Sequence, residues 1–141
     1  MNRYPEPENQ RSFVVRVVQT LEKLHIPYAI GGSLAAMVYS APRLTMDVDI
    51  MILADEASLA RLVEEVNSWG IYIAPLETIL EQDLPHGLPF NIYDGAAGTR
   101  ADLYPVRPVG LAGSAIGRRR RIRSEILDIE AWFLSPCLQR M

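Results

Sequence analysis

Apolar side chains recur at helical spacing from Ser12 onward. Phe13, Val14, Val17, Val18, Leu21 and Leu24 share one face, while Arg16, Gln19, Glu22 and Lys23 lie opposite. The pattern predicts an amphipathic helix that ends before Pro27. Tyr28-Ala29-Ile30 reads as a short strand stopping at Gly31-Gly32-Ser33, and Leu34 to Tyr39 as a brief buried helix with Ser33 near its N-cap. Met46 to Leu53 alternates and then becomes continuously apolar, as a central strand does. Asp55 and Glu56 open a second amphipathic helix carrying Leu59, Leu62, Val63, Val66 and Trp69, with Gly70 as its stop. Ile71 to Ala74 is a weak strand signal and Leu76 to Gln82 reads as one short helix. Phe90 to Tyr93 and Thr99 to Val106 flank Asp94-Gly95-Ala96-Ala97-Gly98 as a hairpin. The chain beyond Arg118 is a basic run followed by ILDIEAWFL, read as a strand pair or one bent strand.

These elements, with no internal repeat and no linker, describe an α+β chain with a mixed β-sheet flanked by helices on one face. Residues 1–9, with Pro5 and Pro7, read as a flexible N-terminal arm, and residues 10–141 as a single domain that looks short at its C-terminus. A chain of 141 residues that is 49% hydrophobic can bury a sizeable core without staples. The single cysteine, Cys137, excludes an intrachain disulfide framework and a Cys-based zinc cluster. No apolar run has signal-peptide or membrane-span character, so the expectation is a cytoplasmic protein without a membrane partner. The net charge of −3 argues against wholesale nucleic-acid coating, yet thirteen of the fourteen basic residues are Arg, and five of them fall within Arg118 to Arg123.

The chemistry concentrates between Gly31 and Asp49. Asp47 and Asp49 sit two apart on a strand, so both carboxylates project from the same face. Like charges at that distance repel, so a cation belongs between them, and hard oxygen donors suit Mg²⁺ or Mn²⁺. The alternative is a polar strand end capped by Arg43, Arg100 or Arg107. Gly31 and Gly32, after a strand and before a helix, let the backbone approach a phosphate, and Ser33 adds a hydroxyl. They also suit a plain tight turn with Ser33 as an N-cap. His25, His86 and Cys137 lack partners at metal or catalytic spacing, and Trp69 and Trp132 suit core positions.

Gly-Gly-Ser, a helix, and then Arg43-x-Thr45-x-Asp47-x-Asp49 resembles the nucleotidyltransferase superfamily, which includes DNA polymerase beta, aminoglycoside nucleotidyltransferases and toxin–antitoxin nucleotidyltransferases. The resemblance spans roughly residues 10 to 135. It implies a third carboxylate on a neighbouring strand, matched by Asp102, for which an ion pair with Arg100 is the other reading. It further implies an NTP as substrate, ATP foremost, and two-metal transfer of a nucleoside monophosphate to a hydroxyl acceptor. Asp47 and Asp49 would hold both ions. Asp102 would bind the catalytic ion and accept the acceptor's proton. Gly32 and Ser33 would anchor the β and γ phosphates, Arg43 would neutralise phosphate charge, and Thr45 would orient the turn. The acceptor, whether tRNA, a protein or a small molecule, is not specified. A second reading is a non-catalytic binding module of this fold, such as one component of a toxin–antitoxin pair with a helical protein partner. A third is nucleic-acid binding through Arg118 to Arg123.

Overall fold

The computed structural model describes residues 7–31, 48–107, 110–125 and 127–135. Helix α1 spans Pro7–Lys23, beginning earlier than the apolar periodicity indicates and taking in Pro7, Glu8 and Asn9. Proline is tolerated in a first helical turn because its missing N–H has no partner there anyway. The helix closes as a Schellman motif. His25 takes the left-handed conformation with a φ of 58°, Ile26 N–H reaches the Leu21 carbonyl at 2.9 Å and His25 N–H the Glu22 carbonyl at 3.1 Å. Leu21 and Ile26 are both buried, so this cap also turns the chain into the core.

Seven strands follow: β1 (Tyr28–Gly31), β2 (Asp49–Leu53), β3 (Tyr72–Ile73), β4 (Phe90–Asp94), β5 (Thr99–Val106), β6 (Arg120–Ser124) and β7 (Ile129–Phe133). They form one sheet in the order β3-β4-β5-β2-β1-β7-β6. The sheet is mixed: β2 runs parallel to β5 and β1 parallel to β7, and the other neighbours are antiparallel. Helix α2 (Glu56–Asn67) is capped by Asp55, whose carboxylate accepts the Ser58 N–H at 2.8 Å. Gly70, with a φ of 75°, supplies the left-handed residue after it.

The core lies on one side of the sheet. Ile30, Ile50, Ile52, Ile92, Leu103 and Phe133 project from their strands against Val14, Val17 and Leu21 of α1 and Leu59, Leu62 and Val66 of α2. Each fully buried side chain of this size stabilises the fold by roughly 1.5–3 kcal/mol.

Two local differences from the pattern have physical causes. The segment expected as one helix over Leu76 to Gln82 divides into α3 (Leu76–Thr78), a π-helical stretch (Ile79–Asp83) and α4 (Leu84–His86). Pro85 has no N–H for the carbonyl four residues back, and Leu84 N–H reaches five back to Ile79. Helix α5 (Gly110–Gly117) packs against β2. Gly110, Gly113 and Gly117 give it low helix propensity, so its sequence carries no helical signal. The helix expected over Leu34 to Tyr39 lies outside the described residues, as do residues 1–6 of the expected arm.

Candidate active site

The face of the sheet away from the core carries the polar chemistry. Along β5, burial alternates strictly: Ala101, Leu103 and Pro105 are buried, and Arg100, Asp102, Tyr104 and Val106 face outward to varying degrees. β2 does the same, with Ile50 and Ile52 buried and Asp49, Met51 and Leu53 partly exposed. Parallel pairing sets Asp49 directly opposite Asp102. The Asp102 N–H donates to the Val48 carbonyl at 2.8 Å and fixes that register. Two carboxylates on different strands therefore share one face, a strand spacing of about 4.8 Å apart along the backbone.

The row extends in both directions. Gly31 pairs with Asp49, and Asn91 of β4 pairs with Asp102. One step along the strands, Ala29, Met51 and Tyr104 form the next row. Burial pushes the Tyr104 hydroxyl above the ordinary tyrosine range, and the charges of Asp49 and Asp102 push it further. The electrostatic field of both carboxylates thus reaches one hydroxyl.

Like charges directly opposite in a sheet are destabilising. The side chains that surround Asp49 and Asp102 on the other face of the same strands are apolar and tightly buried, so the acidic pair is not a continuation of the core. Two neighbouring, partly exposed carboxylates suit Mg²⁺ or Mn²⁺, which are commonly held by one or two carboxylates together with substrate phosphates. Among the described residues no group of three His, Cys, Asp or Glu side chains is placed to hold a metal. Asp47, which the resemblance adds to Asp49 and Asp102, lies outside them.

No protein-family model matches the chain, and no curated protein matches it in sequence. Solved structures do match. The antibiotic-resistance factor ANT(2'')-Ia superposes with a TM-score of 0.63 at 17% identity, covering 92% of this chain and 67% of that one. The lincosamide antibiotic adenylyltransferase LnuA, in its lincomycin-bound crystal structure, gives 0.63 at 10% identity, covering 90% of this chain and 81% of that one. A nucleotidyltransferase-assigned protein of Thermotoga maritima gives 0.60 at 13% identity, with 96% and 83% covered. The chain has the nucleotidyltransferase fold.

Within this nucleotidyltransferase fold, the structure brings together three of the residues singled out in the sequence: Gly31, Asp49 and Asp102. Gly32, Ser33, Arg43, Thr45 and Asp47 lie outside the described residues. The space in front of Gly31 is occupied by Leu134, whose Cδ1 would stand 2.7 Å from an added Cβ, so glycine at this position accommodates that side chain. Asn91 and Tyr104 belong to no motif, yet both are legible from the strand pattern. A hairpin closing Asp94 against Thr99 sets Asn91 opposite Asp102 by counting, and Tyr104 follows Asp102 by strand alternation.

The basic run is largely committed to its own fold. Arg119 lies over the Trp132 ring, 4.3 Å from its centroid, and donates to the Ile116 carbonyl. Arg121 pairs with Glu22 at 3.1 Å and Glu130 at 3.5 Å, and Arg123 pairs with Asp128. Charged side chains on β6, the outermost strand, also oppose edge-to-edge pairing. Trp132 and Trp69 are both partly buried against the core, the latter under the Arg16 guanidinium at 4.1 Å. A groove of about 330 Å³ between α1 and the β6–β7 turn contains none of the residues above the carboxylate row. No helix among the described residues is long and apolar enough to cross a membrane.

Proposed function

We propose that the chain transfers a nucleoside monophosphate from an NTP, ATP foremost, to a hydroxyl acceptor. The observation that carries this reading is the pairing of Asp49 with Asp102, in one row with Gly31, inside a nucleotidyltransferase fold. Asp49 and Asp102, joined by Asp47, would hold divalent Mg²⁺ or Mn²⁺. When bound, such ions supply positive charge that stabilises both the entering and the leaving oxygen of the displacement.

The chain's own residues divide the remaining work. Backbone N–H groups of Gly31 and Gly32 and the Ser33 hydroxyl would donate to the triphosphate, Arg43 would offset its charge, and Thr45 would orient the turn. Asp102 would accept the proton of the acceptor hydroxyl, whose oxygen forms a bond to the α-phosphorus. The bond from that phosphorus to the bridging oxygen breaks, and pyrophosphate leaves. A small-molecule acceptor is favoured over tRNA or protein, because LnuA, which shares the fold, is an antibiotic adenylyltransferase whose structure holds lincomycin.

Incubation with α-labelled NTPs, Mg²⁺ and a panel of hydroxyl compounds tests the reading. Label should pass to an acceptor with the wild type and not with Asp49→Asn or Asp102→Asn. Equal transfer by either variant would show that the carboxylate pair is not the site.

A further inference from the structure

The groove of about 330 Å³ beside α1 lies on the helix side of the sheet, away from the carboxylate row. Its two walls differ in chemistry. Helix α1 supplies Arg11, Val15 and Gln19, which recur every fourth residue along one ridge, and Ser12 and Arg16 on the ridge beside it. The β6–β7 turn supplies Leu127, Asp128 and Ile129, while Glu125 of the same turn does not line the groove. Leu127 belongs to the core, and Val15 and Ile129 pack against it, so the groove has an apolar floor between polar rims.

Both walls are held in place. Asp128 takes the left-handed conformation with a φ of 60°. Its N–H donates to the Ser124 carbonyl at 2.7 Å, and the Leu127 N–H donates to the Ser124 hydroxyl at 3.0 Å. Arg123 pairs with the Asp128 carboxylate and offsets its charge. On the other wall, Arg16 meets no carboxylate among the described residues, and its guanidinium rests on the Trp69 ring. A guanidinium laid on a ring face keeps its N–H edge for an oxygen acceptor. The groove is therefore cationic, with two arginines against one carboxylate that already has a partner.

Dimensions select among anionic occupants. From Arg11 to Gln19 the helix rises roughly 12 Å, a span that an extended chain covers in about four residues. Ser12, Arg16, Gln19 and Asp128 are exposed, so the groove is open along its rim, whereas a small ligand needs most of its surface enclosed. A nucleic acid suits it less, since an unbroken row of phosphates calls for more cations, leaves the apolar floor uncovered and would face Asp128.

We propose that this groove docks an extended acidic segment of a partner protein, about four residues long. An aliphatic side chain of that segment sits on Val15, Leu127 and Ile129, and its carboxylates turn toward Arg11 and Arg16. Docking there leaves the outer face of the sheet open, so it does not compete with nucleotide at Asp49 and Asp102.

The test presents the full chain to an immobilised library of random heptapeptides. The strongest binder is then titrated in solution by fluorescence anisotropy, beside a single-stranded RNA heptamer. Enriched peptides should join Asp or Glu to Ile, Leu or Val, and their binding should weaken as salt rises. Arg16→Glu should raise the peptide Kd roughly tenfold, and Ser12→Trp, which fills the rim, should weaken binding as well, while Arg16→Lys loses less. Tyr72 is exposed on the opposite edge of the sheet, across from Tyr93, and Tyr72→Ala should bind as wild type. Thermal melts of each variant show that it is folded. Enrichment of basic or uncharged peptides, no enrichment at all, or tighter binding of the RNA would overturn the partner class. Equal Kd in wild type, Arg16→Glu and Ser12→Trp would overturn the groove.

Discussion

The two faces of the central strands are written in alternate residues of the same segments, yet they follow opposite rules. On β2 and β5, Ile50, Ile52, Ala101 and Leu103 are sealed against α1 and α2. The residues between them include two carboxylates placed side by side, and Tyr104 in their field. The inner face is chosen for packing, where every methylene contributes. The outer face sets two carboxylates opposite one another, a pair whose mutual repulsion a bound cation would offset. Activity and stability should therefore separate cleanly between neighbouring positions.

The largest effect expected is on the outer face. Asp49→Asn or Asp102→Asn should lower transfer at least about a hundredfold, while the melting temperature moves far less than it does for a truncation on the inner face. Initial rates and thermal melts of the same preparations check this. A marked fall in melting temperature would mean that the carboxylates serve the fold. On the inner face, Ile52→Ala should destabilise by about 2–5 kcal/mol, read by urea unfolding, with transfer per folded molecule retained. Loss of activity in the folded variant would erase the separation between faces.

Two smaller changes lie away from both faces and should move stability alone. His25→Gly removes a left-handed non-glycine residue from the Schellman cap and should stabilise by roughly 1 kcal/mol. Asp83 is buried, and desolvation raises its carboxyl above the ordinary range near 3.9. A carboxyl whose pKa is higher folded than unfolded binds protons more tightly when folded, so its ionisation weakens the fold as pH rises through that window. Asp83→Asn should be more stable than wild type at pH 7, and the advantage should shrink as pH falls toward the ordinary carboxylate value. A constant difference across pH would contradict the sign.

Much of this separation is legible from the chain. The periodicity of Phe13 to Leu24 and of Leu59 to Trp69 marks both core helices, because an amphipathic helix carries its burial in its spacing. The alternation of Thr99 to Val106 marks the strand that bears Asp102. What the chain does not announce is pairing. That β5 lies beside β2, so that Asp102 meets Asp49, is a long-range contact set by sheet order, expected from the family resemblance and not from any local pattern. The Tyr72–Tyr93 pair escapes notice for the same reason: each is an ordinary strand residue until its neighbour across the sheet is known. Helix α5 is hidden by its glycines, and the π-helical turn by a proline that acts on a carbonyl several residues away.

Whether Asp49 and Asp102 together hold a divalent cation and nucleotide decides the assignment of the site most directly. Calorimetric titration of a non-hydrolysable ATP analogue into the wild type, Asp49→Asn and Asp102→Asn, with and without Mg²⁺, measures this without knowledge of the acceptor. Mg²⁺-dependent binding by the wild type that is lost in both variants is the predicted result. Binding that is independent of Mg²⁺, or equal in all three proteins, would contradict it.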